Sequence, residues 1–284
     1  MPLLVCATPI GNLDDVTLRV LDALRSADVV LCEDTRRTRI LLGRHGISAR
    51  LLSYHEHNEA RRVDEVLPQL GAGETVALVT DAGLPAISDP GVRLIAAART
   101  AGLPVSVLPG PSAVETALVA SGFEFERYQF LGYLPRGRTS LAELWNELAS
   151  WPHAAVAFES PRRLPGSLTS LAEALPERSV AVCRELTKAF EDVVRGSASV
   201  LAGRFTAPPK GEITIVIAPA APRAASDDEA LEGVAELVAA GAPRRLAADV
   251  VGRLTGIPRN RLYRGSLPDD GSAAPSTRLR PRPL

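Results

Sequence analysis

Cysteine is rare in this 284-residue sequence, and long apolar runs are missing from it. The three cysteines, Cys6, Cys32 and Cys183, are odd in number, widely spaced and embedded in apolar segments. We therefore expect buried thiols in a reducing cytoplasm and no disulfide framework. A membrane-spanning helix needs roughly 18 consecutive apolar residues, and no segment approaches that length. The first residues show no basic leader or cleavage site, so we expect a cytoplasmic protein with no membrane partner.

Lysine is almost absent as well. The sequence has 32 basic residues, of which Lys188 and Lys210 are the two lysines and the rest are arginines. A chain so biased toward arginine can retain lysine where a compact, titratable ammonium is needed, although either residue alone could be an ordinary surface lysine. The net charge of -1 at pH 7 argues against indiscriminate nucleic-acid binding but leaves room for local basic patches.

Two further absences narrow the choice of cofactor. The first predicted strand lacks the G-x-G-x-x-G motif of a dinucleotide site, so binding of NAD or FAD is not supported. His55 and His57 form an H-x-H pair, but no further histidine or cysteine cluster completes a metal site. We therefore expect no metal.

The most informative segment is 75–113, which predicts a strand, loop, helix, strand and second loop before another helix begins. Both strands are uncharged and rich in valine and leucine, as expected of buried parallel strands. Ligands of open α/β sheets bind beyond the carboxyl ends of strands, where both glycine- and proline-rich loops fall. Asp81 and Asp89 add carboxylates suited to hydroxyl or ammonium groups. The alternative is two ordinary turns, with Pro111 in a first helical turn and Ser112 as its cap.

Strands and helices alternate along the rest of the chain, which predicts an α/β fold. Predicted strands are 3–7, 28–32, 51–54, 75–80, 105–108, 128–131, 154–158, 179–183, 191–195 and 213–218. Predicted helices are 14–27, 38–45, 58–70, 112–121, 140–150, 197–204, one beginning at Pro161, and two within 243–267. The expected domains are 1–121, 122–220, a basic helix-turn-helix-like unit at 227–267 and a disordered tail at 268–284, with a linker at 219–226. The basic unit could face RNA or could be an oligomerisation appendage.

Eight motifs occur in order along residues 3–267: TPIGN, EDTR, VTDAGLPAISDPG, PGPSA, GYLPR, FESPRR, RELTK and KGEI. Each is weak alone, but the set resembles the tetrapyrrole-methylase superfamily of S-adenosylmethionine (SAM) enzymes. More narrowly, it resembles the branch that methylates a ribose 2′-hydroxyl in bacterial small-subunit (16S) ribosomal RNA. Leu84 departs from the family pattern, which usually has threonine there, so a hydroxyl contact from that position to SAM is in doubt.

The resemblance implies two α/β domains with the active site and SAM in the cleft between them, plus a small helical C-terminal unit. It also implies a homodimer and, as substrate, a decoding-site cytidine of 16S rRNA in the small ribosomal subunit. The residues implied to bind SAM lie in the strand-end loops, at the end of the sixth strand and in RELTK: Pro9, Gly11, Asp81, Ala82, Gly83, Pro85, Ser88, Asp89, Gly91, Pro109, Gly110, Ser112, Ala113, Leu131, Glu185, Leu186 and Thr187.

Methyl transfer from a sulfonium to a hydroxyl is an in-line displacement, so alignment is the first requirement. The hydroxyl also needs a proton acceptor or a nearby positive charge. Glu33 or Asp34 is a candidate base or orienting acceptor, with Arg36 beside them, and Lys188 is a candidate electrostatic stabiliser or, with a lowered pKa, a base. The side chains expected to hold the RNA are Arg37, Arg39, His55, His57, Tyr133, Arg136, Arg162 and Arg163.

Two other functions remain open at this point. One is a corrin or porphyrin precursor C-methyltransferase, whose small acidic substrate would not need the EDTRRTR segment or the basic C-terminal unit. The other is a catalytically silent RNA-binding or assembly factor on the same fold. The sequence leaves undecided whether free rRNA or the assembled subunit is the substrate.

Overall fold

The structure, a computed structural model, describes residues 2–220 and 226–267. They belong to two compact units, which divide between residues 220 and 221. The predicted tail at 268–284 and most of the predicted linker at 219–226 lie outside the described residues. Within the described ranges, no helix combines the length and apolar character needed to cross a bilayer.

The larger unit begins with a five-stranded parallel sheet. Its elements are β1 (Leu3–Cys6), α1 (Leu18–Ser26), β2 (Val29–Cys32), α2 (Thr35–Arg44), β3 (Leu51–Ser53), α3 (Glu59–Gly71), β4 (Val76–Leu78), α4 (Val92–Thr100), β5 (Val105–Leu108) and α5 (Ala113–Ser121). The strand order is β3-β2-β4-β1-β5. The chain leaves the neighbouring strands β1 and β4 in opposite directions, which marks the crevice beyond them as the expected ligand position.

Alternation along the strands explains how this sheet is covered on both faces. Val30 and Ala77 pack with α1 and α2, whereas Leu31 and Val76 pack with α3 and α4. The prediction that β5 is buried was wrong. β5 pairs with β1 at the sheet edge, so Ser106 and Val107 are exposed.

The second half of the larger unit contains a mixed sheet. Its elements are β6 (Tyr128–Tyr133), α6 (Arg138–Ala149), β7 (Ala154–Glu159), α7 (Leu164–Ala174), β8 (Ser179–Arg184), β9 (Asp192–Ser197), α8 (Ala198–Arg204) and β10 (Ile213–Ile217), and its strand order is β6-β7-β10-β8-β9. β6 and β7 are parallel, whereas the other neighbours in this sheet are antiparallel. Trp145 of α6 is the largest buried side chain in the core that this sheet forms with α6, α7 and α8.

α5 joins the two sheets. Its apolar side packs against the face of the second sheet opposite α6–α8, and Ile10 and Leu186 enter the same buried cluster. Because the two halves share this core, residues 2–220 form one compact unit. The domain boundary expected near residue 122 stays a prediction.

Three helices begin three or four residues away from their predicted starts. α1 begins at Leu18 behind the capping side chain of Thr17, and Leu13–Asp15 form a separate 3-10 turn. α2 begins three residues earlier than predicted because Asp34 caps it. α7 begins at Leu164 and not at Pro161, with a proline in its own first turn.

The smaller unit contains three helices within the described residues, α9 (Asp227–Ala239), α10 (Arg244–Thr255) and α11 (Arg259–Gly265). The sequence had predicted the last two. α9 begins with a capping box, in which the Ser226 hydroxyl accepts from the Glu229 N–H while the Glu229 side chain accepts from the Ser226 N–H. Val234, Ala247, Val251 and Leu262 form its small core.

Candidate active site

The loops after β1, β4 and β5 converge at one edge of the parallel sheet. Thr8 and Gly83 exchange two backbone hydrogen bonds of 2.8 and 3.0 Å, and the Thr8 hydroxyl donates to the carbonyl of Thr80 at 2.9 Å. Gly110 lies so near β1 that an added Cβ would sit 2.9 Å from the Cβ of Ala7. The structure therefore brings together the three loops that were predicted separately.

The loop from Asp81 to Gly91 has an unusual backbone. Ala86 and Ser88 have φ angles of 72° and 62°, a region that costs free energy for residues other than glycine. Gly91 donates its N–H to Glu59 at 3.1 Å, and Glu59 also accepts from the Tyr54 hydroxyl at 2.8 Å. Leu84 is partly buried and packs against the hydrophobic core below the loop.

Three carboxylates crowd together above the sheet. Glu33 accepts from the Thr80 hydroxyl at 3.4 Å, and burial together with the charge of Asp81 raises its pKa. Burial, with the charges of Glu33 and Asp81, raises the pKa of Asp89 to about 6. Because each charge makes the next harder to form, this acid cluster of Glu33, Asp81 and Asp89 suits a ligand that carries positive charge.

The two neighbouring acids of the EDTR motif differ in their surroundings. Asp34 caps α2 and binds the guanidinium of Arg36 through contacts of 3.1 and 2.7 Å, and these hydrogen bonds hold the pKa of Asp34 far below its usual range. Arg37 approaches Asp81 at 3.4 Å. Of the two acids, Glu33 is therefore the better proton acceptor.

Lys188 lies in a tight turn that closes on the first loop. Glu185 and Thr187 have positive φ angles of 53° and 66°. The Asn12 N–H donates to the Thr187 hydroxyl at 3.0 Å, and an added Cβ on Gly11 would lie 2.5 Å from the Lys188 side chain. Glycine at position 11 is thus required for this close approach.

The ammonium of Lys188 is held by two carboxylates. Its Nζ lies 2.8 Å from Oε1 of Glu185 and 2.8 Å from Oε2 of Glu212. Burial acts to lower the pKa of Lys188, but the hydrogen bonds to the two glutamates outweigh it, so the pKa is raised. The possibility that a lowered pKa makes Lys188 the base is therefore wrong for this structure, and Lys188 is a fixed positive charge.

A cavity of about 250 Å³ extends from Asp81 of the acid cluster to Lys188. Predicted residues that line it are Pro9, Gly11, Arg37, Asp81, Ala82 and Lys188, and Thr80 and Glu212 line it as well. Glu212 belongs to the KGEI motif, which was recognised without assigning this residue a role. A neighbouring cavity of about 430 Å³ shares Gly11 and Lys188 and adds Asp14 and Arg44, neither of which the motifs indicated.

Several residues predicted to bind SAM have side chains that contact other residues of the protein. Leu131 packs against the core of the second sheet, and Leu186 is buried in the cluster shared by the two halves. Ser112, at the start of α5, donates to Glu115 and does not cap the helix with its side chain. Ser88 approaches the second sheet, since an added Cβ on Gly132 would lie 4.0 Å from its hydroxyl.

The predicted RNA-binding side chains form a looser set around the cleft. Tyr133 is 62% exposed after an irregularity in β6, and burial of its hydroxyl together with the charges of Asp89 and Glu212 raises its pKa. His55 has a buried Nδ1 with no hydrogen-bond partner among the described residues, and its ring lies 6.0 Å from that of His57. The exposed arginines of this set are Arg37, Arg39, Arg136 and Arg162, and the catalytic candidate Arg36 is exposed beside them.

Arg163 has a structural contact that the sequence did not reveal. Its Nη2 donates to the carbonyls of Leu134 and Pro135 at 2.6 and 2.8 Å, and to the buried carboxylate of Glu159 at 3.1 Å. Glu159 also accepts from the Ser167 hydroxyl at 2.5 Å. Arg163 therefore anchors the turn after β6, and its Nη2 is occupied by protein acceptors.

We expect Glu159→Ala to lower the free energy of unfolding by about 3 kcal/mol, because it leaves Arg163 and Ser167 without their buried acceptor. Glu159→Gln keeps an acceptor and should cost about 1 kcal/mol. Urea denaturation checks both values, with Glu173→Ala on the exposed side of α7 as the control. Equal midpoints for Glu159→Ala and the control would show that the buried contact does not stabilise the fold.

Metal ligands do not cluster in the part of the chain that the structure describes. No group of three or more histidine, cysteine, aspartate or glutamate side chains has a geometry that could hold a metal ion there. All three cysteines are buried free thiols, and burial raises the pKa of Cys6 and Cys183 to about 12.

Comparison with known proteins shows which class of protein has this pair of sheets, with a cavity between the loops of the first sheet and the turn that holds Lys188. Residues 2–202 match the family described as Tetrapyrrole (Corrin/Porphyrin) Methylases. A uroporphyrin-III C-methyltransferase from Thermus thermophilus superposes with a TM-score of 0.54 at 21% identity, covering 76% of this chain and 94% of that one. A cobalt precorrin-4 methyltransferase gives 0.58 at 21% identity, with the same coverages. The chain belongs to the tetrapyrrole methylase family.

Nearer relatives share one particular name, Ribosomal RNA small subunit methyltransferase I. The protein of that name from Mesorhizobium japonicum is 43% identical over 92% of this chain and 90% of its own length. The one from Mycobacterium bovis is 47% identical over 84% of this chain and 85% of its own length. The Thermotoga maritima protein is 43% identical over 76% of this chain and 97% of its own length.

Proposed function

We propose that this protein transfers a methyl group from SAM to the ribose 2′-hydroxyl of a decoding-site cytidine in 16S rRNA. The observation that carries the proposal is the cavity in which Asp81 of the acid cluster, Arg37 of the EDTR motif and Lys188 line one space. The names of the relatives at 40–47% identity support an rRNA substrate. Two structural neighbours are named for tetrapyrrole substrates, but at 21% identity they support the fold alone.

The loops beside the acid cluster fit SAM. The sulfonium and ammonium groups of SAM carry positive charge, which suits a cluster whose carboxylates otherwise repel one another. Gly83 is buried in this loop with a φ of 77°, a conformation that glycine adopts without steric cost, and an added Cβ there would contact Ile10 at 3.9 Å. Asp81 and Asp89 would hold the positively charged groups, and the backbone at Ala82 and Gly83 would approach the rest of the molecule.

When bound, SAM supplies an electrophilic methyl group, and the chain's own residues supply alignment and charge. In this proposal the ammonium of Lys188 stabilises the negative charge that develops on the 2′-oxygen. Glu33, with its raised pKa, accepts the hydroxyl proton or orients it. Asp34 keeps Arg36 oriented for an RNA phosphate, and Arg37 and Arg39 extend this positive rim along α2. A homodimer in the cytoplasm remains a prediction.

A transfer experiment tests the proposal. Purified protein is incubated with methyl-labelled SAM and small ribosomal subunits from a strain that lacks the enzyme, with protein-free rRNA as a parallel acceptor. We expect label on one cytidine ribose, and no label on subunits that already carry the methyl group. Incorporation into a uroporphyrinogen acceptor, with none into either RNA acceptor, would contradict the proposal.

A further inference from the structure

The smaller unit separates its charges between helices. α9 carries five acidic residues and no basic one. α10 and α11 together carry six arginines against Asp249 as their one acidic residue, a surplus of five positive charges. The near-zero net charge of the whole chain therefore conceals a strongly basic pair of helices.

α10 and α11 form a tight helix-turn-helix. Three residues connect them, beginning with Gly256 at a φ of 75°. The turn folds back closely on α10, since an added Cβ on Gly252 would lie 2.9 Å from the carbonyl oxygen of Ile257. α11 packs against α9, because a Cβ on Gly265 would lie 2.9 Å from Leu231. The three helices therefore pack closely, and the backbone that positions the exposed side chains of α10 and α11 is held in place by these contacts.

Three of the six arginines lie within ion-pair distance of a carboxylate of the unit. Arg261 pairs with Asp227, and Arg253 and Arg259 approach Asp249 at 3.6 and 4.0 Å. The other three, Arg244, Arg245 and Arg264, form no ion pair with any residue in the described ranges. Tyr263, 39% exposed, adds an aromatic ring beside Arg264 in sequence.

We propose that Arg244, Arg245, Arg264 and Tyr263 of this unit bind the RNA substrate through contacts additional to those at the reacting ribose. The inference rests on the proposed function, because that function supplies the RNA. Unpaired guanidinium groups match phosphate geometry, and an exposed tyrosine can stack on an unpaired base. The deep, narrow major groove of A-form RNA does not admit a helix, so the arginine contacts are to the backbone, and neither they nor base stacking, which tolerates any base, read the sequence.

The test compares the full-length wild-type protein with the triple variant Arg244→Gln/Arg245→Gln/Arg264→Gln. Binding is measured with protein-free small-subunit rRNA and with assembled subunits at several salt concentrations. We expect affinity for both to fall about 10-fold or more, and the slope of log affinity against log salt to decrease by about 2 to 3. Affinity for SAM and kcat at saturating RNA should stay within about twofold, because the substitutions lie outside the unit that holds the cavity.

Two controls separate a local surface from general charge effects. Glu232→Gln/Glu236→Gln changes exposed acids on α9, and Arg204→Gln removes an exposed arginine of the larger unit. Both should bind RNA within about twofold of wild type.

Unchanged RNA affinity and salt slope in the triple variant would overturn the inference. So would a loss confined to assembled subunits, since it would indicate a ribosomal protein as the partner. If the wild type does not methylate RNA, the proposed function is wrong. The comparison of RNA affinity between the wild type and the triple variant still tests the role of the three arginines in that case.

Discussion

Lys188→Ala is expected to lower the rate of methyl transfer by about 100-fold or more while leaving SAM affinity nearly unchanged. Removing one preorganised positive donor from a developing oxyanion costs about two to three powers of ten in kcat. Lys188 has a raised pKa and is held 2.8 Å from both Glu185 and Glu212, so the wild-type site contains a positioned ammonium. Single-turnover transfer and SAM titration measure the two effects separately.

Lys210→Ala is the matched control, since it removes the other lysine of the chain and Lys210 is exposed. It should retain activity near that of wild type. Because Lys188→Ala leaves two glutamates without their cation, Lys188→Ala/Glu212→Gln checks that lost activity does not arise from their repulsion. A rate near wild type for Lys188→Ala, with an intact fold, would remove Lys188 from the reaction.

Asp89→Asn is expected to weaken SAM binding by about 10-fold. The affinity of the variant for SAM should also depend much less on pH below pH 7 than that of the wild type. Asp89 in the free protein has a pKa of about 6, because of burial and the charges of Glu33 and Asp81. As pH falls through about 6, Asp89 takes up a proton and ceases to attract a cation. Wild-type affinity for SAM should therefore fall between pH 7 and pH 5, as calorimetric titration can show.

The same substitution should stabilise the free protein at pH 8. The folded pKa of Asp89 lies above its unfolded value near 3.8, so its stabilising contribution is present below that value and is lost as pH rises through about 6. Removing the charge should recover about 1 to 2 kcal/mol, seen as a higher thermal midpoint. Asp64→Asn on the exposed side of α3 is the control. A variant that loses both stability and affinity would indicate structural damage and not the loss of a cation site.

Local patterns predicted most of the strands because each lies in an apolar run between turn residues. β5 was placed at its observed residues, 105–108, yet its burial was predicted wrongly. Position at a sheet edge depends on which strands pair, and no local pattern carries that information. α9 was missed, although the Ser226 and Glu229 spacing is a readable helix start.

The candidate site was predictable in position but less so in the role of each side chain. Gly11 and Gly110 lie in loops that the sequence predicted as part of the site, and both pack closely against protein atoms in the structure. Glu33 and Asp34 are adjacent in sequence, and only the fold turns one toward Asp81 and the other toward Arg36. Arg163 likewise looked like a phosphate ligand, but its partner Glu159 is buried one turn before it. Such assignments depend on neighbours that are distant in sequence or hidden by burial.

Site-resolved mapping of ribose methylation in 16S rRNA tests the central claim most directly. The measurement compares a strain that lacks this protein with the same strain carrying the wild-type gene or the Lys188→Ala variant. We predict that one decoding-site cytidine loses its 2′-O-methyl group in the deletion strain, regains it with the wild type, and stays unmethylated with the variant. Full methylation of that cytidine in the deletion strain would contradict the account.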